Sequence, residues 1–351
     1  MDRRFSTLLI LGAGTSKEVS FPTGAELKKN IADLLSVGDE NGFYYSIRDK
    51  LINAAINRNM QAEFVNLSME PYLRVCQIIR DAMPQASSID NFIDTHSDNK
   101  KIELCGKLAI VRAILEAESR SEIYTDQNRK LDFSRIENTW YNKFFQLLVQ
   151  DASLEQLTGR LNNLNVITFN YDRSFEHFLY YSLINYYQID NTSAAELISN
   201  IGIYHPYGTV GKLPWMRGGG SIEFGAEPNE LQLLELVKQI RTFTEGTEPE
   251  SSEINIIRKA VYESDCIIFL GFGFHPQNMA LLDSDNYEPI DKERDSSVCF
   301  ATAKGISQHD CDLVISDIQK LTGFEKHQIH LRNDLTCTDL FSKYRRSLSK
   351  F

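Results

Sequence analysis

Six short apolar segments, separated by segments with helical periodicity, constrain the fold of this 351-residue chain more than any other feature. The segments are mostly runs of Ile, Val, Leu and Phe without polar alternation, a pattern typical of strands covered on both faces of a parallel sheet. Strands that alternate with helices predict an α/β fold with a Rossmann-like, doubly wound parallel sheet. The predicted strands are Ser6–Leu11, Asn165–Phe169, Ile201–Tyr204, Asp265–Leu270, Ser297–Ala301 and Gln328–Leu331. The predicted helices between them are Gly24–Leu35, Ser174–Tyr187, Glu230–Ile240, Ile254–Glu263 and Ile306–Lys320.

The stretch between the first and second predicted strands is too long for one crossover helix. Within it, "AEFVNLSMEPYLRVCQIIRDAM" and "KKIELCGKLAIVRAILEAE" repeat apolar residues at helical spacing. We therefore predict a helical insertion domain at residues 37–162, inside a Rossmann-like domain made of residues 1–36 and 163–351. The acidic, turn-rich segment "TFTEGTEPESSE" (Thr242–Glu253) predicts a surface loop.

Composition narrows the class of protein. Hydrophobic residues make up 42% of the chain and charged residues 24%, as expected of a globular protein with a large core. The net charge of −11 argues against broad contact with nucleic acid. The six cysteines form no C-x-x-C pair, so we expect neither a zinc ribbon nor disulfides, and scattered cysteines fit a reducing cytoplasm. The first apolar segment is too short to span a membrane.

A glycine-rich loop follows the first predicted strand, in "LLILGAGTSKEVSFPTGAEL". Gly12 and Gly14 allow a tight turn and the close approach of a phosphate, and Thr15 and Ser16 add hydroxyl and amide donors. A dinucleotide fingerprint needs a third glycine where Lys17 stands, so hydride transfer is weakly supported. A strand-to-helix turn that binds nothing is an equally good interpretation of this loop alone.

The ends of the other predicted strands are also polar. Asn170 and Asp172 follow the second strand, and His205 follows the third, while the fourth ends in "LGFGFHPQN" and the fifth in "ATAKG". Because ligands of doubly wound sheets bind outside the carboxyl ends of the strands, we expect these loops to meet in one crevice.

Each of these polar residues also has a structural interpretation. Asn170 and Asp172 could cap the next helix, and His205 could be a hydrogen-bonded loop residue. His275 is more readily explained as loop structure, and His327 and His330 as packing or surface residues.

Taken in order, "GAGTS…FPTG", "TFNYD", "HPYG" and "LGFGF" resemble the sirtuin-like NAD-hydrolase family of bacterial anti-phage defence effectors, a branch of the sirtuin fold. The stretch "SSIDNFID" (Ser87–Asp94) also resembles a segment common in that branch, and the match runs from Leu8 to about Gly305. The resemblance implies an enzyme that depletes NAD in abortive infection.

The resemblance assigns a role to each matched residue. Asn170 would hold the nicotinamide ribose and the attacking water, Asp172 the nicotinamide carboxamide, and His205 would be the catalytic histidine. The residues implied to contact the rest of NAD are Gly12, Ala13, Gly14, Thr15, Ser16, Pro22, Thr23, Gly271, Gly273 and Lys304.

Two departures favour simple cleavage of NAD over deacylation. The four-cysteine zinc module of sirtuin deacylases is missing, and "SFPTGAEL" replaces their "GIPDFR"-like loop. The expected reaction is hydrolysis of the nicotinamide N-glycosidic bond to nicotinamide and ADP-ribose, with NAD as substrate and without a metal.

The resemblance also bears on partners and alternatives. It implies a homo-oligomer, and some similar proteins pair with a HerA-type ATPase; the insertion and the region after Gly305 are the candidate contact surfaces. The alternatives are a nucleotide-binding sensor without turnover, a sirtuin-type deacylase or ADP-ribosyltransferase that uses the same NAD site, and a Rossmann dehydrogenase.

Overall fold

The fold is organised by the segment Thr7–Leu11, which forms the central strand β1. In the computed structural model, which describes residues 6–39, 45–62, 68–125, 130–242, 245, 252–283 and 295–349, this strand lies between two parallel neighbours. Leu9 is opposite Val166 on one side and Ile268 on the other, and all three are buried. Strands hydrogen-bonded on both edges and covered on both faces require continuous apolar sequence, which is the pattern seen.

The central sheet has six parallel strands, which confirms the predicted doubly wound α/β fold. The strands are β1 (Thr7–Leu11), β4 (Leu164–Thr168), β5 (Gly202–Tyr204), β6 (Cys266–Leu270), β7 (Val298–Thr302) and β8 (Ile329–Arg332), each within one residue of its predicted ends. Their order is β5-β4-β1-β6-β7-β8. The chain therefore reverses its direction of winding between β1 and β6, and this reversal creates a crevice at the carboxyl ends of those strands. A separate antiparallel pair, β2 (Val37–Asp39) and β3 (Tyr45–Ile47), was not predicted.

The helices agree with the sequence periodicity at most positions. The predicted helix Ser174–Tyr187 is found with the same bounds, whereas the one predicted at Glu230–Ile240 ends at Val237. In chain order they are α1 (Ala13–Lys17), α2 (Gly24–Leu34), α3 (Lys50–Ala62), α4 (Glu70–Ala82), α5 (Ile89–Thr95), α6 (Lys100–Arg120), α7 (Trp140–Val149), α8 (Leu154–Leu161), α9 (Ser174–Tyr187), α10 (Asn191–Ser199), α11 (Glu230–Val237), α12 (Ser252–Glu263), α13 (Pro276–Leu282), α14 (Gln308–Thr322), α15 (Cys337–Lys343) and α16 (Arg345–Leu348). Most of the surface loop predicted at Thr242–Glu253 lies outside the described residues.

The helices of the insertion pack on both faces of the sheet. Leu8 of β1 belongs to an apolar cluster with α3 to α6, whereas its neighbour Leu9 belongs to a second cluster with α7 and α8. Successive side chains of a strand point to opposite faces, so the chain from 37 to 162 contributes helices to each side. The division into two domains stays a prediction. Each apolar cluster contains residues from the predicted insertion and from the predicted Rossmann-like domain.

Trp140 ties the end of the insertion to the first glycine loop. Its indole Nε1 donates to the carbonyl of Thr15 at 3.0 Å, and its ring is fully buried and stacks against Phe175 and Phe341. A buried indole N–H needs an acceptor, and here the acceptor is the glycine loop. The insertion therefore helps to fix the position of that loop.

Candidate functional site

Two glycine loops meet at the carboxyl ends of β1 and β6. The backbone N–H of Gly12 donates to Leu270, and that of Gly14 donates to Gly271, both at 3.0 Å. A Cβ on Gly12 would lie 2.6 Å from the Gly271 carbonyl oxygen, and Gly271 itself has a φ of +54°. The close approach of the two backbones therefore requires glycine at these positions, whether or not a phosphate binds.

Asn170 connects the end of β4 to the first glycine loop. Its amide Nδ2 lies 3.1 Å from the carbonyl of Gly12, 3.1 Å from Ser16 Oγ and 3.3 Å from Thr15 Oγ1. The side chain is buried, and two amide hydrogens can serve two of these three acceptors at a time. The structure thus brings together the asparagine and the loop that the sequence predicted to share one site.

Asp172 lies two residues before α9. Its Oδ1 accepts the backbone N–H of Ser174, the first residue of that helix, at 3.0 Å, although the N-cap position itself belongs to Arg173. Ser174 Oγ is 2.7 Å from the hydroxyl of Tyr141 and 3.2 Å from Ser16 Oγ, so a buried polar network runs from α9 back to the glycine loop. Burial raises the pKa of Asp172, because a carboxylate loses hydration in this environment.

His205, at the end of β5, has partners on both ring nitrogens. Nδ1 lies 3.2 Å from the backbone carbonyl of Asn170, and Nε2 lies 2.7 Å from Oε1 of Glu176. A carbonyl only accepts, so Nδ1 carries a proton, and the contact at Nε2 is an ion pair when His205 is an imidazolium that donates to Glu176. Burial by itself lowers the pKa of His205, but the Glu176 carboxylate and the hydrogen bonds outweigh it, and the net shift is upward.

Sequence reasoning missed Glu176. It lies in the first turn of α9, within the apolar run "SFEHFLYYSLI", and is 3% exposed. A carboxylate inside such a run was a readable signal, because ionisable residues are rarely buried without a partner. Its neighbour His177 stacks on Phe224 at 3.8 Å, and burial lowers the pKa of His177 to about 3. His177 is therefore a neutral core residue at physiological pH.

An aromatic cluster covers the crevice next to these polar groups. The ring of Phe169 contacts those of Tyr207 and Phe272, and the Tyr207 hydroxyl donates to Asn278 Oδ1 at 2.6 Å. Burial, and then the nearby carboxylates of Asp90 and Asp94, raises the pKa of Tyr207. The stretch Ser87–Asp94, singled out from the sequence, therefore reaches this edge of the sheet.

Near Tyr207, two buried polar atoms have no hydrogen-bond partner. They are Oδ1 of Asp90 and the hydroxyl of Tyr171, and burial raises the pKa of Asp90 to about 6. Buried unpartnered groups are costly and rare in folded proteins. They are candidates for contact with a polar ligand in the crevice.

A buried ion pair fixes the segment on the other side of His205. Arg173 Nη2 lies 2.5 Å from Glu118 Oε2 on α6, and both side chains are essentially inaccessible. Nη1 of Arg173 also donates to the carbonyls of Gly211, Lys212 and Ile222. One arginine thus joins α6 of the insertion, the start of α9 and the chain that follows His205.

Other predicted residues have structural explanations. Thr23 caps α2 in a capping box with Glu26, and Lys17, which replaces the third glycine of the fingerprint, forms an exposed ion pair with Glu26 at 2.6 Å. His330 packs against the rings of Phe300 and Tyr344. Pro22 is half-buried beside this cap, whereas Gly273, His275 and Lys304 are exposed around the crevice. Ala13 opens α1.

No protein-family model matches the chain, and no curated protein matches it. Among the described residues, no group of three or more His, Cys, Asp or Glu side chains could hold a metal ion. Over the same residues, none of the helices combines the length and the apolar composition needed to cross a bilayer.

Proposed function

We propose that this protein hydrolyses the nicotinamide N-glycosidic bond of NAD at the carboxyl ends of β1, β4 and β5. The supporting observation is that Asn170 contacts the glycine loop through its side chain and His205 through its carbonyl. Asn170 therefore places a loop suited to phosphate binding next to an ionisable side chain, and cleavage of a dinucleotide needs both in one site. Nicotinamide leaves as a neutral molecule from a cationic ring, so the site needs no general acid, and the sugar passes through an oxocarbenium-like state.

In this proposal His205 assists the attack of water. Nδ1 is held by Asn170, so Nε2 is the nitrogen that can accept a proton, and in the structure it contacts Glu176. His205 is a base only after it loses the Nε2 proton, and a base of this type contributes about 10²–10⁴-fold to a rate. The proposed activity should therefore rise with pH through the elevated pKa of His205.

The test is direct. The full chain is incubated with NAD, and nicotinamide, ADP-ribose, cyclic ADP-ribose and NADH are resolved by chromatography. We expect nicotinamide and ADP-ribose from the wild type and none from Asn170→Ala or His205→Ala, with His275→Ala, an exposed histidine beside the crevice, as the matched control. Wild-type turnover in either site variant would contradict the assignment, and formation of NADH would indicate a dehydrogenase.

The second candidate function is a sensor that binds NAD or ADP-ribose without turnover. It is favoured by one observation: both ring nitrogens of His205 are already occupied, so the described arrangement has no free base. The same incubation separates the two proposals. A sensor would show saturable binding in calorimetry with no nicotinamide released.

We further propose that the activity is controlled by assembly and serves anti-phage defence, with a second copy of the chain and a HerA-type ATPase as candidate partners. The support is the resemblance of the motifs, together with the danger of an unrestrained NAD hydrolase to its host. Mass measurement of the purified chain, alone and with a candidate ATPase, tests this. A strictly monomeric enzyme that is fully active alone would refute it.

A further inference from the structure

A large cavity lies beside His205, on the outer edge of the central sheet. It has a volume of about 590 Å³ and is enclosed by α9, α10, the edge strand β5 and residues 209–217. His205 lines it, but no residue of either glycine loop does. The cavity therefore shares His205 with the proposed reaction but lies outside the two glycine loops that are proposed to bind the dinucleotide.

The inner end of the cavity presents a carboxylate with spare hydrogen-bonding capacity. Glu176 lines the cavity, is 3% exposed, and gives Oε1 to His205, whereas its Oε2 is buried without a partner. The neighbouring Arg173 cannot serve it, because its guanidinium is committed to Glu118 and to backbone carbonyls. A buried carboxylate oxygen is stabilised by an N–H donor, and a bound ligand could supply one.

The walls of the cavity are apolar and aromatic, which favours a flat, apolar part of a ligand. Ile198, Ile201 and Ile203 line the apolar part, and Trp215 stacks on Tyr180 with ring centroids 4.5 Å apart. These surfaces suit a flat ring.

At the exposed rim, Lys212 and Arg217 carry positive charges that no carboxylate pairs among the described ion pairs, although Lys212 Nζ donates to the Arg217 carbonyl at 2.8 Å. The exposed Glu196 also lines the cavity. Among the exposed lining residues, two cations therefore outnumber one carboxylate, which favours a phosphate.

We propose that this cavity binds a nucleoside monophosphate whose base carries an exocyclic amino group. The amino group donates to Glu176 Oε2, the base lies against the isoleucines and Trp215, and the phosphate lies at Lys212 and Arg217. Because Glu176 also holds His205, an occupant of the cavity acts on the residue that the proposed reaction uses as its base. Binding itself does not depend on NAD cleavage.

The experiment is a calorimetric titration of the full chain with adenosine 5′-monophosphate. Purine riboside 5′-monophosphate lacks the amino group, and its affinity should be roughly ten- to a hundredfold weaker, the range for loss of a hydrogen bond to a charged group. Adenosine lacks the phosphate and should bind at least several-fold more weakly. Equal affinity for adenosine monophosphate and purine riboside monophosphate would refute the role of Glu176.

Variants locate the binding. Ala195→Phe, on the face of α10 that lines the cavity, should abolish binding, whereas Asn200→Phe, directly after the same helix and outside the lining, should retain it. Lys212→Ala with Arg217→Ala changes only exposed side chains, so it tests the rim without disturbing packing. No binding to the wild type at millimolar nucleotide, or undiminished binding to Ala195→Phe and to the rim variant, would overturn the proposal.

Discussion

Replacing Glu176 by Gln tests whether His205 is held as an imidazolium. The substitution keeps the shape of the side chain and an oxygen for Nε2 of His205, but removes the negative charge 2.7 Å from that nitrogen. The upward shift in the pKa of His205 depends on that charge, and burial, which lowers the pKa, should then dominate. We expect the pKa of His205 to fall in the variant.

The consequence for stability has a defined sign. A histidine whose pKa is raised on folding adds stability in full below its unfolded pKa of about 6.5, and this stability is lost as pH rises through the folded pKa. One proton changes the free energy of unfolding by at most about 1.4 kcal/mol per pH unit. As the pH rises above about 6.5, the wild type should therefore lose stability relative to Glu176→Gln, with a slope no steeper than this limit.

Urea denaturation of both proteins at several pH values measures this difference. The matched control is Glu235→Gln, which removes a carboxylate from an exposed ion pair with Lys238 and should change stability by less than about 1 kcal/mol at every pH. If the free energy of unfolding depends on pH in the same way in the wild type and in Glu176→Gln, His205 is not held as a cation and the prediction is wrong. If the protein cleaves NAD, the acidic limb of its pH profile should also move to lower pH in this variant.

The remaining predictions concern the scaffold around the site. Arg173→Met should lower the free energy of unfolding by about 3–5 kcal/mol, because it leaves the Glu118 carboxylate buried and unpaired; chemical denaturation measures this, and a loss below 1 kcal/mol would contradict it. Gly271→Ala should lower the free energy of unfolding by about 1–3 kcal/mol or more, because of its positive φ and its contact with the first glycine loop. Gly24→Ala, with nothing within 4 Å of a new Cβ, should be neutral or stabilising by up to about 1 kcal/mol, and equal melting temperatures for the two variants would refute this. Burial raises the pKa of Asp90 from 3.8 to about 6, so the wild type loses stability as the pH rises through this range. The stability of Asp90→Asn relative to the wild type should therefore be greater at pH 8 than at pH 4, and a pH-independent difference would argue against a buried carboxylate.

The sequence by itself determined the elements of the sheet and most of its helices. Apolar runs such as Thr7–Leu11 have the length of one strand and no alternation of polar residues, which an exposed strand would show. Local composition was therefore enough to predict these strands. The helix Asn191–Ser199 was missed although Asp190 caps it by accepting the N–H of Ser193, a signal that was present in the sequence. Elements of this kind depend on contacts between near neighbours in the chain.

The composition of the candidate site was predictable only in part. The ends of parallel strands must meet at one edge of the sheet, so the proximity of Asn170, His205 and the glycine loop follows from strand order alone. Which group faces His205 does not follow from it, because the Glu176 contact depends on how α9 packs beside β5. The predicted roles of these residues in catalysis stay predictions.

Tertiary structure alone decided the contacts between residues far apart in the chain. Gly12 needs to be glycine because the backbone of Gly271 approaches it, and Arg173 is neutralised by Glu118 from the insertion. Local periodicity reports which face of an element is buried, but not which element covers it, because many partners satisfy the same apolar face. The strands and their caps were therefore readable from the chain, whereas the charge state of His205 and the cavity beside it required the folded arrangement.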